Sequence, residues 1–531
     1  MRLQRAEWAA AFLITLFAVG LHGLRLVHAG PLWRDEAAAF HLATSPTLGE
    51  VIARHESFPP PFFLIVRAWA AGLGGSDASL RLFGLLAGLG LLALLWWTSR
   101  TAGTVPLAAL ALVAVNPTVL LYGDELRGYG LGTLAIVAAF GAFARLAVRP
   151  DRRAVIAAMM AALLSVQLLF SNTVLLLALG LAAIGVGMIR GGWRRPRVVL
   201  AVLGIGAATA LSLLPWMGPV LATRSWSMLL EVPLGPREIF DEMARSAASA
   251  PVAPLRWVWL VLIGLALTPG PSPASGRGVN GDDEEKRDER LFALLSLPLC
   301  ILAQWGFIEA LRYPPRPWYF LPLLALTAVA LDVRLASSPL LRTLRLGIAV
   351  LAVLVMALPG LSLWRARMTN VDLIAARIAA EAAPEDLVVV TPWFCGISYL
   401  RYGRGAPPWM TLPDLADHRI HRYDLVKARM MEPEPLRDVL GAVERTLRGG
   451  HRVWVVGELE IPPPGTPVPI LPPAPAASSG WSEQPYDRSW SLQLGAFLRD
   501  HAAAGGQVPV HWDGPINGFE RLSLLVLSGW R

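Results

Sequence analysis

Blocks of roughly twenty apolar residues recur along this chain, and few folds can absorb so many of them. A helix crossing the hydrocarbon core of a bilayer needs about 20 largely apolar residues. Blocks of that order lie at residues 8–29, 79–97, 104–121, 130–148, 154–171, 173–189, 198–219, 252–268, 291–308, 318–333 and 344–362. The pattern predicts an α-helical polytopic membrane protein with about 11 transmembrane helices. Composition agrees: hydrophobic residues make up 54% of 531, charged residues 16%, and the mean hydropathy is +0.50. Soluble domains carry about 25% charged residues. The net charge of +8 would suit a nucleic-acid binder, but the basic residues fall in short clusters between apolar blocks, which excludes nucleic acid as a partner. Two cysteines, Cys300 and Cys395, are too few for a disulfide framework or a cysteine-rich zinc site and are expected to be free thiols.

Loop charges orient the spans. With the N-terminus in the cytoplasm, the inside loops hold Arg100, Arg145 to Arg153, Arg190 to Arg197, Arg277 to Arg290 and Arg334 to Arg345, while the outside loop at Ser171 and Asn172 has no basic residue. Lys and Arg concentrate on the cytoplasmic side of membrane proteins, so the pattern is self-consistent. Val27-His28-Ala29 could pass for a signal-peptide cleavage site, but an uncleaved first span is the preferred reading. An odd number of spans then places the C-terminal tail outside a multi-pass protein of the cell membrane.

Three stretches are not spans. Residues 30–78 are polar and broken by proline, and runs such as Pro61 to Val66 predict interfacial helices in the first external loop. Residues 269–290, rich in Pro, Gly and Ser and then in alternating charge, read as a disordered cytoplasmic loop. The tail alternates helix and strand: helices near 371–383, 435–448 and 491–503, and strands at 387–390, 453–456, 508–511 and 522–527. The expected division is a membrane module over 1–363 and an extracytoplasmic α/β domain over 364–531. No phosphate-binding glycine loop accompanies these strands.

Candidate chemistry clusters on one side of the membrane. Trp33-Arg34-Asp35-Glu36 opens the first external loop. A carboxylate there can act as general base on an acceptor hydroxyl. On a helix the two acids point about 100° apart, so only one can face the reacting atom. The alternative is an N-cap at Asp35 with Glu36 in the first turn. His55 and Glu56 precede Pro59-Pro60-Pro61 and are either site residues or a solvated pair beside proline punctuation. They lack the spacing of a metal-ligand set, and no metal or cofactor is assigned. Arg127 beside Tyr129 could clamp a phosphate or belong to an interfacial belt. Arg312 and Arg316, followed by Tyr319, run against the positive-inside trend and suit an anionic head group.

Taken in order, Trp33-Arg34-Asp35-Glu36, the His55-to-Phe63 proline motif, Ala78-Ser79-Leu80-Arg81-Leu82 and Leu126-Arg127-Gly128-Tyr129 resemble the protein-O-mannosyltransferase-like membrane glycosyltransferases. That group, glycosyltransferase family 39 with the GT-C fold, includes the bacterial aminoarabinose lipid A transferases. Arg316 with Trp318-Tyr319-Phe320-Leu321-Pro322 looks like its late arginine-tyrosine motif. The resemblance spans roughly residues 8–362 and is absent from the tail. It implies a polyprenyl-phosphate-linked sugar donor, a lipid, glycan or protein acceptor, and an inverting single displacement outside the cell. By position, Asp35 matches the base with Glu36 in support, and Arg127 and Arg316 match donor-phosphate positions. Phe58 stands where some relatives carry a basic residue before the double proline. Two other classes compete: a transporter or flippase of polyprenyl-linked glycans, and a non-catalytic scaffold anchored in the membrane. A transporter should show mid-bilayer charge and an internal repeat of broken helices, and the sequence shows neither.

Overall fold

The computed structural model describes residues 2–54, 58–191, 196–218, 221, 235–248, 253–268, 281–405, 407–475 and 482–531. The chain divides into two compact units, Met1–Val27 with Ser57–Gly218 and Leu234–Trp364, and His28–Glu56 with Pro219–Pro233 and Arg365–Arg531. The chain passes between the units several times, the last time after Trp364. The segment 28–56, however, joins the C-terminal unit instead of the membrane module. Its backbone is bonded there: Met368 N–H donates to Ala29 O at 2.8 Å, and Leu32 N–H to the Tyr402 hydroxyl at 2.7 Å.

The first unit is helical. Eight described helices are long and apolar enough to cross a membrane: Arg2–His28, Asp77–Thr101, Gly128–Val148, Asn172–Ile189, Pro196–Trp216, Glu284–Leu311, Pro317–Leu335 and Pro339–Ala357. The span starting at Pro317 is 89% buried and forms the centre, whereas those starting at Pro196 and Pro339 are 22% buried and sit at the periphery. Leu200, Leu203, Leu351 and Leu354 on the peripheral pair are exposed, as lipid-facing residues should be.

The other three apolar blocks differ from full spans for visible reasons. Block 104–121 is interrupted. Leu107–Ala109 runs into a π-helical stretch, Leu110–Ala114, and a new helix begins at Pro117, capped by Asn116 whose side chain accepts from Thr118 N–H at 2.8 Å. Pro117 has no N–H to continue the earlier ladder. Block 154–171 becomes the 17-residue helix Arg152–Leu168, and block 252–268 the 13-residue helix Leu255–Leu267. The latter is about 20 Å long, short of a hydrocarbon core of about 30 Å. The charged run 281–290 is also not a disordered loop: it forms the first turns of the helix Gly281–Leu311. Glu284 and Glu285 fall near the helix start, where the dipole favours acids, and Arg149 pairs with Glu285.

A buried polar network ties the interrupted segment down. Asp332, fully buried, accepts from Ala108 and Ala109 N–H at 2.8 and 2.9 Å, and Arg345 joins it to Glu7 at 3.3 and 2.7 Å. Elsewhere in this unit two glycines permit close backbone contact. A Cβ at Gly84 would lie 1.8 Å from Asp124 O, and one at Gly130 2.1 Å from Gly123 O. Small residues let membrane helices approach this closely.

In the C-terminal unit a five-stranded sheet has the order β2-β1-β3-β5-β4. The strands are β1 Leu387–Thr391, β2 Trp409–Thr411, β3 Val453–Gly457, β4 Ala502–Gln507 and β5 Leu524–Trp530. β1 is parallel to β2 and β3, and β5 is antiparallel to β3 and β4. β1 and β3 are buried throughout, hence their valine runs. Fully burying each valine contributes about 1.5–3 kcal/mol. Helices Tyr423–Met430, Arg437–Arg448 and Gln484–His501 cover one face, and Val371–Glu381 with Gly396–Tyr402 the other. The strand expected at 508–511 is displaced to 502–507. There the ladder to β5 runs from Ala502↔Trp530 to Gln507↔Leu525, and Pro509 cannot extend it. Both cysteines are free and buried, so Cys395 cannot report sidedness to a thiol reagent.

Candidate functional site

The acidic pair lies on a short helix of the C-terminal unit. Trp33 is the N-cap of Arg34–Ala43, so Asp35 and Glu36 occupy its first turn. Glu36, fully buried, accepts from Trp33 N–H at 3.4 Å. The helix-start role considered for Asp35 thus belongs to Glu36, and Asp35 engages side chains instead. Its Oδ1 lies 3.6 Å from Arg34 Nε and 3.4 Å from His421 Nε2.

Arg34 is a brace. Its guanidinium donates to Phe519 O, lies over the Phe394 ring at 4.5 Å and faces Glu520 at 3.7 Å, while its own N–H donates to Glu520 at 2.8 Å. Burial works to lower the Arg34 pKa, but the charges of Asp35 and Glu520 outweigh it and hold the pKa above its ordinary value. Glu520 is 1% exposed. Burial pushes its carboxyl up to about 7, against the opposing pull of Arg34.

His421 stands before an aromatic wall. Its ring meets Trp393 edge-on at 6.4 Å and stacks with Tyr423 at 6.1 Å. Trp393 is 1% exposed, and its indole N–H donates to Glu483. Burial raises the Glu483 carboxyl to about 7, opposed by Trp393 and His421, and burial with the neighbouring Glu483 charge raises Asp487. His421 and Glu520 were not singled out by sequence. Each sits in a polar loop hundreds of residues from Asp35, where no local periodicity marks it.

The second cluster lies in the membrane unit. Arg127 is the N-cap of Gly128–Val148 and 7% exposed. Its guanidinium carbon lies 5.5, 4.9 and 5.1 Å from the ring centres of Phe58, Tyr129 and Trp318, an aromatic cage. Glu125 lies 3.8 Å from Nη1. Tyr319 is 6.0 Å from Tyr129 and 6.4 Å from Tyr313. Phe58, in the place of a basic residue in some relatives, is thus a wall of the cage. Arg316 is the N-cap of the short 3-10 helix Pro317–Phe320, and its charge is felt by Glu242. Arg312 terminates Gly281–Leu311 at φ 50°, a left-handed conformation usually left to glycine. His55 and Glu56 lie outside the described residues. Among the described residues no group of three or more His, Cys, Asp or Glu is arranged to hold a metal ion.

The structure thus brings Arg34, Asp35 and Glu36 together in one unit, and Arg127, Tyr129 and Tyr319 together in the other. No protein-family model matches the chain, and no curated protein matches it. Solved structures do. ArnT from Cupriavidus metallidurans bound to undecaprenyl phosphate is similar with a TM-score of 0.52 at 14% identity, over 84% of this chain and 92% of that one. The apo state of the same protein gives a TM-score of 0.52 at 14% identity, over 85% and 92%. Identity this low speaks to the fold alone. Together with the helical membrane unit and the small sheet domain, it shows that this chain has the ArnT-like GT-C fold.

Proposed function

We propose that the chain is a membrane glycosyltransferase that moves a hexose or pentose from a polyprenyl-phosphate donor to a hydroxyl of an acceptor outside the cytoplasm. The observation that carries this reading is Asp35: it lies on an ArnT-like fold, and its carboxylate is held by side chains while Glu36 caps the helix. That the ArnT structure contains undecaprenyl phosphate supports the choice of donor class.

In the proposed reaction Asp35 accepts the proton of the acceptor hydroxyl as its oxygen attacks the anomeric carbon. The carbon–oxygen bond to phosphate breaks in the same displacement, inverting the anomeric centre, and polyprenyl phosphate leaves. Arg127 and Arg316 are assigned to the phosphate, whose charge rises as the bond breaks. Cationic groups aimed at developing charge in a water-poor site are strong catalytic elements. The cage of Phe58, Tyr129 and Trp318 withholds Arg127 from bulk water, which strengthens its pull on an anion. Tyr129 and Tyr319 are assigned to donor contacts, with Arg312, His55 and Glu56 as further binding groups.

The test is incubation of membranes with a panel of polyprenyl-phosphate sugars, following which sugar leaves its lipid, onto what, and with which anomeric configuration. Transfer with inversion is expected. Retention, or export of an intact lipid-linked glycan, would replace this reading with another.

A further inference from the structure

We propose that His421, from the C-terminal unit, is the positioning residue of Asp35. The inference rests on Asp35 being the base. His421 Nε2 and Arg34 Nε approach the same oxygen, Oδ1, at 3.4 and 3.6 Å. A carboxylate on the first turn of a short helix has rotatable side-chain torsions, and two nitrogens converging on one oxygen restrict them. Each is itself fixed by buried groups of the same unit. Phe519 O and Glu520 hold Arg34. Trp393, bonded to the buried Glu483, and Tyr423 hold the imidazole plane.

Arg34 and His421 differ in what they can do. Arg34 neighbours Asp35 in sequence and accompanies it wherever the helix goes. His421 belongs to the segment 418–423 of the C-terminal domain, so its contact makes the geometry of the base depend on that domain. The segment 418–423 thereby acquires a part in catalysis without itself touching the reacting atoms. Misplacing a reacting group by about 1 Å can cost on the order of 100-fold in rate, and that is the scale expected here.

Three variants of the full-length protein in membranes test this, each assayed for kcat and donor KM. His421→Phe fills the space against Trp393 and Tyr423 but has no nitrogen. His421→Gln returns an N–H near the position of Nε2. Asp35→Asn removes the base. The expected result is loss of transfer in Asp35→Asn, a fall in kcat of about 10–100-fold in His421→Phe with donor KM nearly unchanged, and recovery of most of kcat in His421→Gln. Parental kcat in His421→Phe beside an inactive Asp35→Asn overturns the role of His421 and leaves the base intact. Full transfer by Asp35→Asn overturns the base and this inference with it. If both His421 variants fail to accumulate, or Gln restores nothing, His421 serves packing alone and the proposal is wrong.

Discussion

Replacing Glu520 by glutamine tests the electrostatics that surround Asp35. The side chain is buried, its Oε2 accepts Arg34 N–H at 2.8 Å, and burial raises its pKa from 4.5 to about 7 despite Arg34. An acid whose pKa is higher folded than unfolded binds its proton more tightly in the folded state. Its stabilising contribution is therefore complete below about pH 4.5 and lost as pH rises through about 7. The difference between these values corresponds to on the order of 3 kcal/mol. Glutamine has nearly the same shape, keeps an oxygen for Arg34 N–H and carries no charge. Parent and variant should then differ by less than about 1 kcal/mol at pH 5, and at pH 8 the variant should be the more stable by on the order of 3 kcal/mol. For a unit of this size that is a shift of about 6–12 °C. The assay is thermal unfolding of the detergent-solubilised full chain at pH 5, 6, 7 and 8, followed by tryptophan fluorescence. Subtracting parent from variant isolates Glu520 from Glu483, which burial also raises to about 7. A variant that is less stable than the parent by the same amount at every pH refutes the argument.

Two further outcomes follow from the geometry. Arg127→Lys keeps the charge within the cage of Phe58, Tyr129 and Trp318 but loses the planar fork that pairs with phosphate. The expected loss is about 10–100-fold in kcat/KM for the donor, and an unchanged value would remove Arg127 from the phosphate. Thr466→Cys places a thiol at an exposed position of the C-terminal unit, while both native cysteines are buried. A membrane-impermeant thiol reagent should modify it in intact cells, and modification only after permeabilisation would reverse the proposed sidedness.

What was legible in the sequence follows from which constraints are local. A membrane helix must be long and apolar over consecutive residues, so the eight long helices all lie within predicted blocks or extend them. Hydropathy does not register a break that is covered by protein, and block 104–121 contains one: Asp332, distant in sequence, caps Leu107–Ala109 from the side. The valine runs of β1 and β3 announce buried strands. β4, composed of Ala502-Ala503-Ala504-Gly505-Gly506-Gln507, carries no such signal and is a strand only because β5 pairs with it. The site divides the same way. Asp35 and Arg127 stand out as charges beside apolar blocks, whereas His421 and Glu520 matter only once folding brings their loops to Arg34 and Asp35.

The central claim is that Asp35 takes the proton of the acceptor while sugar leaves its phosphate. It is tested most directly by comparing the rate of sugar transfer from polyprenyl-phosphate donors by membranes containing equal amounts of parent and Asp35→Asn protein. Asparagine keeps the shape of the side chain but cannot accept the proton, so the rate should fall by about 100–10,000-fold, with donor binding retained. Equal rates in the two membranes would contradict the account.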